Sequence, residues 1–235
     1  GEDEINSLHT DGFRHAEQSL RAVEQLEKDG AGLNLTWEVR HGIVSHSKPR
    51  GDVMGGVVDE DLSLEGQVCR LADAVAYLNH DLADAFRACI LDPDDLPTEV
   101  NEVLGDRHSR RVHTMVSDIV ATSWAATGEQ GFDSSDYPGI SMSSVVREAA
   151  NTLRDFMFER VYDPEDQGEE GRSARAIIQL LYGHFLANRD NIPAEYGRDG
   201  RSVVDYIAGM TDQYALRVAE QIQPGIALRF QRVLA

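Results

Sequence analysis

Acidic and aromatic side chains recur at helical spacing between positions 71 and 86 of this chain. Asp73, Tyr77 and Asp81 are four residues apart, so in a helix they project from successive turns of one face. A carboxylate can ligate a metal ion, a phenol ring can lie flat on a sugar, and a second carboxylate can accept the proton of a sugar hydroxyl. This face is therefore a candidate binding site for a metal ion and a sugar-containing ligand.

The opposite face of the same segment is apolar. It follows the period of an α-helix and can anchor the helix in a core through Leu71, Val75, Leu78, Leu82 and Phe86. The polar face also carries His80 and Asp84. An acidic face opposite an apolar stripe is typical of any surface helix, and periodicity alone favours a solvated face. Tyr77 argues modestly for a site, because an aromatic ring among carboxylates does not serve solubility.

The composition is that of a folded, acidic protein. Hydrophobic residues make up 41% of the 235 positions, which is enough for one sizeable core or two small ones and too many for a disordered acidic chain. No apolar run approaches the roughly 18 residues of a membrane span. Since no basic-then-apolar leader occurs either, we expect a cytoplasmic protein without membrane association.

The net charge of −19 makes nucleic acid an unlikely partner over most of the surface, because proteins that bind it present basic patches. The longest basic cluster is the segment 107–111, which contains His108, Arg110 and Arg111. These three residues could reach phosphates, but they could equally be the solvated start of a helix. A polyphosphate would be repelled by so acidic a protein unless a bound metal ion makes the local electrostatic field positive, and with such an ion it could bind.

The two cysteines both fall on the helix predicted for positions 62–91. Cys69 and Cys89 would be about 30 Å apart on a continuous helix, which is too far for a disulfide. We expect them to be small buried side chains in a reducing compartment.

Helical periodicity continues along the whole sequence, and no alternating pattern of a β-hairpin occurs. The predicted helices cover positions 12–26, 36–45, 62–91, 98–104, 107–127, 144–161, 173–188 and 202–210, with a last short helix after Pro224. We expect Asp11 to cap the first helix, Ser143 or Ser144 to cap the sixth, and Ser202 with Asp205 to form a capping box.

Three segments rich in glycine, proline or acidic residues are predicted to be irregular. They are 48–56, 128–141 and 163–171, of which the last is expected to be an acidic turn with a mobile tip. No repeat and no long linker divides the chain. The pattern therefore predicts a single all-α domain of irregularly packed helices over residues 1–235.

Six loose motifs follow one another along nearly the whole chain. They are GFRHAEQSLRAVE at 12–24, LNLTWEVRHGI at 33–43, LEGQV at 64–68 with the segment 71–81, HSRRV at 108–112, LRDFMFERVY at 153–162 and VDYIAGMTD at 204–212. In this order they resemble the bacterial deoxynucleotide triphosphohydrolases of the HD-domain superfamily, including the deoxyguanosine-triphosphatase-like proteins. The resemblance implies an all-α, HD-domain-like irregular multi-helix bundle.

The resemblance also implies roles for the polar face. The family's metal site contains a histidine, a His-Asp pair and a distant aspartate, and Asp73 matches the distant aspartate. Tyr77 matches the residue that packs on the deoxyribose, and Asp81 matches the one that accepts its 3′-hydroxyl. The implied cofactor is a divalent metal ion, and the sequence does not distinguish Mg, Mn, Zn, Fe and Ni.

Two further residues match the catalytic part of the family. His15 matches a histidine near the triphosphate, and Glu2 matches the last residue of the segment Gly-His-x-Pro-Phe-Gly-His-x-Gly-Glu. We expect both to assist proton transfer or triphosphate binding. His15 could instead be a helical histidine satisfied by a neighbour, and Glu2 a charge at a helix N-terminus. His108 and Arg111 are the expected phosphate-binding residues.

The family's first histidine and its His-Asp pair are absent from this sequence. His80 and Asp81 are adjacent, but they share a helix with Asp73 and have another role. We therefore expect the chain to be the C-terminal part of a longer HD-domain phosphohydrolase. A remnant that evolved without catalysis is the alternative.

The resemblance implies metal-dependent hydrolysis of a deoxynucleoside triphosphate to deoxynucleoside and triphosphate. Two other functions stay open at this point. One is another phosphohydrolase of the HD superfamily, such as a nucleotidase acting on monophosphates, and the other is a helical interaction module without catalysis. Because members of the family are commonly oligomeric, we expect a homo-oligomer.

Overall fold

A computed structural model describes residues 1–47, 62–129, 138–197 and 199–230. These residues contain no β-strand, which confirms the all-α prediction. The chain divides into two compact units. Unit 1 comprises Gly1–Leu35 and Glu165–Ala235, and unit 2 comprises Thr36–Pro164. The single domain over 1–235 stays a prediction.

The α-helices, in chain order, are α1 (Glu2–Leu8), α2 (His15–Arg21), α3 (Trp37–Ser45), α4 (Leu64–Arg87), α5 (Thr98–Val103), α6 (His108–Thr122), α7 (Ser144–Met157), α8 (Asp163–Gln167), α9 (Glu169–Ala187), α10 (Ser202–Ala208) and α11 (Asp212–Ile222). A π-helical turn extends two of them, at Ala22–Leu26 and at Phe158–Tyr162. Short 3₁₀ turns lie at Pro93–Asp95, Trp124–Thr127, Arg189–Asn191, Ala194–Tyr196 and Leu228–Phe230.

Helix α4 is the centre of unit 2, and α3, α6 and α7 pack on it. The helix begins at Leu64, two residues after its predicted start, because the Ser63 side chain caps it by accepting a hydrogen bond from the backbone N–H of Gly66 at 3.2 Å. Its apolar stripe is buried as predicted, and exposure falls to 1% at Leu78 and 0% at Leu82. Phe86 is only partly buried against the same core.

The prediction that both cysteines are buried is wrong, because both are exposed. Cys69 lies two residues before the buried Leu71, and two residues turn a helix by about 200°, which places the thiol on the opposite side. Cys89 lies beyond the end of α4, where its φ of 56° is left-handed. The helix therefore ends at Arg87, a few residues earlier than predicted.

Helix α9 is the centre of unit 1, and α1, α10 and α11 pack on it. The start of this unit differs from the single helix predicted over 12–26. Gly12 has a φ of 75°, which glycine tolerates, and this turn separates α1 from α2. Asp11 is not a cap, since α2 begins at His15 with Arg14 before it and without a side-chain cap.

The acidic segment 163–171 is helical rather than a turn. It contains α8 and the first turn of α9. Acidic side chains are favourable in the first turn of a helix, because they face the positive end of its dipole, and Glu169 and Glu170 occupy that place in α9. Composition alone does not distinguish such an acidic helix start from a loop.

Helices α3, α5 and α7 begin within one residue of their predicted starts, whereas α1 and α11 were not predicted as separate helices. Ser143 caps α7 by accepting from the backbone N–H of Val146 at 3.4 Å. The predicted loop 48–56 lies outside the described residues, as does the 130–137 part of the predicted loop 128–141. Across the described parts of the chain, no helix combines the length and the apolar character that a membrane crossing requires.

Candidate functional site

The row formed by Asp73, Tyr77 and Asp81 lies on the side of α4 that faces away from the core of unit 2. Asp73 and Tyr77 are exposed, with 48% of Tyr77 accessible, and Asp81 is half-buried. The apolar stripe on the other side of α4 fixes this orientation. The predicted face is therefore accessible to a ligand of unit 2.

Tyr162 joins this row from the π-helical turn after α7. Its ring stacks on Tyr77, with centroids 5.6 Å apart and an interplanar angle of 25°. Its hydroxyl donates to the Asp81 carboxylate at 2.9 Å. Burial, together with the neighbouring Tyr77 and Asp81, raises the pKa of the Tyr162 phenol far above its usual range. The phenol therefore stays protonated, and Tyr77, Tyr162 and Asp81 form one cluster, which we call the tyrosine cluster.

Tyr162 was not identified as a site residue from the sequence. It is the last residue of the LRDFMFERVY motif, but 81 positions separate it from Asp81, and no spacing rule relates residues so far apart. The π-helical turn that carries it was a possible signal, because such turns are frequent at functional sites. That turn becomes visible only in the folded backbone.

We expect Tyr162→Phe to lower the free energy of unfolding by about 1–2 kcal/mol, because the variant loses a hydrogen bond to a charged group. The raised pKa of Tyr162 favours the protonated phenol in the folded state. The unfolded chain ionises near pH 10, so wild-type stability falls as the pH rises above about 10. Urea unfolding at pH 8 and pH 10.5 should show a steeper loss for wild type than for the variant. Equal losses would contradict this assignment.

Asp73 has no set of neighbouring ligands in the described part of the chain. A divalent metal ion in a protein takes about four to eight ligands, several of them from side chains. The described residues contain no group of three or more histidine, cysteine or acidic side chains that could hold a metal ion. These residues do not form a metal centre by themselves, and the role of Asp73 as a metal ligand stays a prediction.

The predicted phosphate-binding residues lie at the start of α6. The His108 ring stacks on His80 at 5.5 Å, and its Nδ1 lies 3.2 Å from the backbone carbonyl oxygen of Asn79. When Nδ1 donates to this carbonyl, Nε2 is the ring atom that can meet a ligand. The half-buried His108 is therefore placed where a ligand of unit 2 could reach it.

Arg111 is more deeply buried than His108, with 1% of its surface exposed. Its Nε donates to the Asn79 side-chain oxygen at 3.3 Å, and a terminal nitrogen donates to the carbonyl oxygen of Gly105 at 3.5 Å. Burial lowers the pKa of this guanidinium. Arg111 thus links α6 to α4 inside unit 2, and its predicted contact with phosphate stays a prediction.

Glu2 and His15 are brought together in unit 1. The His15 Nδ1 and a Glu2 carboxylate oxygen are hydrogen-bonded, and the side chains are 50% and 39% exposed, respectively. The turn between α1 and α2 is held by the Asn6 side chain, which accepts from the backbone N–H of Phe13 at 2.8 Å. A carboxylate bonded to Nδ1 fixes the orientation of a histidine ring. The fold therefore brings two of the predicted catalytic residues into direct contact.

The capping box predicted from Ser202 and Asp205 is wrong. The backbone N–H groups of Arg201 and Ser202 donate instead to the Asp199 carboxylate, at 3.0 and 2.9 Å. Asp205 is fully buried and accepts from Gln18 at 2.9 Å and from Arg21 at 2.8 Å. The sequence did contain a signal that Asp205 is buried and paired. It is an acidic residue among the apolar residues of VDYIAGM, and a buried acid needs a partner.

Residues 140–221 match the family described as the phosphohydrolase-associated domain, HD_assoc. The matched range contains Tyr162 and Asp205.

Similar proteins from three bacteria are each named deoxyguanosinetriphosphate triphosphohydrolase-like protein. The one from Caldanaerobacter subterraneus subsp. tengcongensis is 43% identical, over 94% of this chain and 61% of its own length. The one from Clostridium perfringens is 37% identical, over 91% and 61%. The one from Bordetella pertussis is 32% identical, over 92% and 68%.

The chain spans about 61% of the length of the first two of these relatives. It covers 68% of the Bordetella protein, which is more than two thirds, and the two sequences are 32% identical over that length. The chain therefore belongs to the family of the deoxyguanosinetriphosphate triphosphohydrolase-like proteins.

Proposed function

We propose that the whole protein hydrolyses deoxynucleoside triphosphates to deoxynucleoside and inorganic triphosphate. Family membership supports a phosphohydrolase of the HD superfamily. The observation that carries the choice of substrate is the tyrosine cluster, which offers an aromatic surface beside a carboxylate. We take the deoxyribose to be the part of the substrate that this cluster binds.

Tyr77 is suited to contact a sugar because one of its faces is fixed and the ring remains accessible. Tyr162 stacks on the ring from one side, and 48% of Tyr77 is exposed. A hydroxyl on the 2′ carbon would clash with a ring held in this way, whereas a deoxyribose would pack on it. Tyr77 is therefore the proposed discriminator between deoxyribose and ribose.

Asp81 is suited to accept the 3′-hydroxyl. One of its oxygens already accepts the Tyr162 proton at 2.9 Å, which fixes the orientation of the carboxylate. A carboxylate has about four acceptor positions, so capacity remains for a sugar hydroxyl. In this proposal Tyr162 orients Asp81, and Asp81 contacts the substrate.

Glu2 and His15 form the proposed proton-transfer pair of unit 1. The hydrogen bond between Nδ1 and Glu2 orients the His15 ring, which supports a role as general base. His108 is proposed to bind phosphate through Nε2. Arg111 is buried, so we propose that it contributes to phosphate binding indirectly, by fixing the position of α6, which carries His108.

A divalent metal ion is also part of the proposal, with Asp73 as one carboxylate ligand. The described residues supply no complete ligand set, so we assign no step of the reaction to the ion. Metal content of the whole protein, measured by elemental analysis before and after Asp73→Asn, tests this role. Unchanged metal content and unchanged triphosphate release would remove Asp73 from the metal site.

We expect the whole protein, supplied with a deoxynucleoside triphosphate and a divalent metal ion, to release one inorganic triphosphate for each deoxynucleoside. Phosphorus NMR separates this product from orthophosphate. Release of orthophosphate from monophosphates would instead support a nucleotidase. No release of either product under a range of metal ions would favour the interaction module.

Two variants compared in the same assay test whether Tyr77 contacts the sugar. Tyr77→Ala should raise KM for the deoxynucleotide about tenfold and reduce the preference over the ribonucleotide. Val145→Ala is the control, because Val145 is an exposed apolar residue of α7, with 61% exposure, and lies outside the tyrosine cluster. Equal behaviour of the two variants would contradict the proposed sugar contact.

A further inference from the structure

Asp205 binds two side chains of the helix that carries His15. It lies on α10 with 0% exposure, and it accepts from the Gln18 amide nitrogen at 2.9 Å. It also pairs with Arg21, whose Nε and terminal nitrogen both lie 2.8 Å from its oxygens. We propose that Asp205 is a positioning residue, which holds α2 so that His15 meets Glu2. This inference rests on the proposed function of the Glu2–His15 pair.

Helix α2 needs such an anchor because it is too short to be stable alone. It has seven residues, or twelve with the π-helical turn that extends it, and no side-chain cap at its N-terminus. Isolated helices of this length are marginal in water, so the direction of α2 must come from tertiary contacts. Gln18 follows His15 by three residues, which places both on one side of the helix. A bond at Gln18 therefore acts close to the His15 ring.

Arg201 contacts the chain both before and after His15, at Gly12 and at Gln18. One terminal nitrogen donates to the carbonyl oxygen of Gly12 at 3.2 Å, and the other donates to the Gln18 side-chain oxygen at 2.9 Å. Its guanidinium also lies over the Phe13 ring, 5.7 Å from the centroid. The Gln18 amide thus donates to Asp205 and accepts from Arg201, so both of its ends are fixed.

The charges of this network favour an orienting role. Burying a carboxylate is costly unless a cation compensates it, and Arg21 supplies that cation. The bond to Asp205 raises the pKa of Arg21, which keeps the guanidinium charged. A buried ion pair commonly contributes less stability than apolar packing of the same volume. What this pair adds is a fixed direction for α2.

Glu2 is anchored through different contacts. Its helix, α1, packs on α9 through the buried Ile5, and the Gln179 amide donates to Glu4 at 2.8 Å. The hydrogen bond between Glu2 and His15 therefore depends on two separate attachments, one for each helix. Removal of the Asp205 charge should loosen only the attachment of α2.

The test is Asp205→Asn in the whole protein, alone and combined with Glu2→Gln. We expect Asp205→Asn to lower kcat about tenfold or more with KM within about twofold of wild type. In the Glu2→Gln background the same change should lower kcat less than twofold, because no pair is left to align. A purely structural role would give the same factor in both backgrounds.

Glu220→Gln is the matched control in unit 1. This carboxylate accepts from the backbone N–H groups of Gly225 and Ala227 at 2.6 and 3.1 Å, after the end of α11. Its loss should lower Tm and leave kcat unchanged below the unfolding temperature. A fall in kcat equal to that of Asp205→Asn would overturn the inference, because destabilisation of unit 1 would then explain both.

Gln18→Met serves if Asp205→Asn does not fold, since it removes the bond from Gln18, the attachment nearest to His15, and keeps the ion pair between Asp205 and Arg21 at the end of the same helix. We expect it to lower kcat about threefold to fivefold and to shift the nitrogen NMR resonances of the His15 ring. An unchanged kcat with an unchanged ring signal would overturn the inference. Full activity of Glu2→Gln would instead overturn the proposed role of the pair itself.

Discussion

Replacing His15 by glutamine in the whole protein should lower kcat for triphosphate release by about 10²- to 10⁴-fold, the range that a positioned general base contributes. An imidazole can accept and donate a proton during a reaction, and the amide of glutamine cannot do so. Glutamine keeps hydrogen-bonding capacity toward Glu2, so the turn between α1 and α2 should survive. KM should therefore change little compared with kcat.

Glu2→Gln should have a smaller effect on kcat than His15→Gln, because the base remains and only its orientation and charge partner are lost. The double variant should be no slower than His15→Gln alone, since the two residues act as a unit. His113→Gln is the control, as this histidine is exposed on α6 in unit 2. A His15 variant with at least half of the wild-type kcat would remove the pair from the reaction.

The second large effect is expected from Leu82→Ala, which should lower the free energy of unfolding by about 2–5 kcal/mol. Leu82 has 0% exposure and lies in the core that α4 shares with α5, α6 and α7. The substitution removes apolar contacts and leaves a cavity, because close-packed surroundings collapse only in part. For a chain of this size, Tm should fall by roughly 5–15 °C.

Urea unfolding and calorimetry measure this loss, with Val68→Ala as the control on the same helix. Val68 is 48% exposed, so its truncation should cost less than about 1 kcal/mol. The contrast tests whether one side of α4 is buried in the core and the other is exposed. A Leu82 variant as stable as the Val68 variant would contradict the burial of this stripe.

The orientation of α4 was predictable from the sequence because it depends on local period alone. Leu71, Val75, Leu78 and Leu82 recur with the turn of a helix, and burial of that stripe leaves Asp73 and Tyr77 on the accessible side. The family resemblance pointed to Glu2 and His15 as two separate catalytic residues, and their contact is found only in the folded chain. Periodicity gave no reason to bring two short helices together at those residues.

Features that depend on distant contacts could not be predicted in this way. The bond between Tyr162 and Asp81, and that between Asp205 and Arg21, join parts of the chain that no local rule relates. Local rules also failed to predict where the first helix starts, because the positive φ of Gly12 forms a turn and the helix predicted from residue 12 begins only at His15. The long-range polar contacts thus had to be found in the folded chain.

Because both thiols are exposed, a distance along α4 can be measured with probes attached to them. Cys69 lies near its first turns and Cys89 just past its end, and these are the two cysteines of this chain. From Cys69 to Arg87 the helix is about 27 Å long, so maleimide probes on the two cysteines would be separated by a span that spin-label or fluorophore distance measurements cover well. Bending or fraying of the element that carries Tyr77 could then be followed in solution without engineering new attachment points.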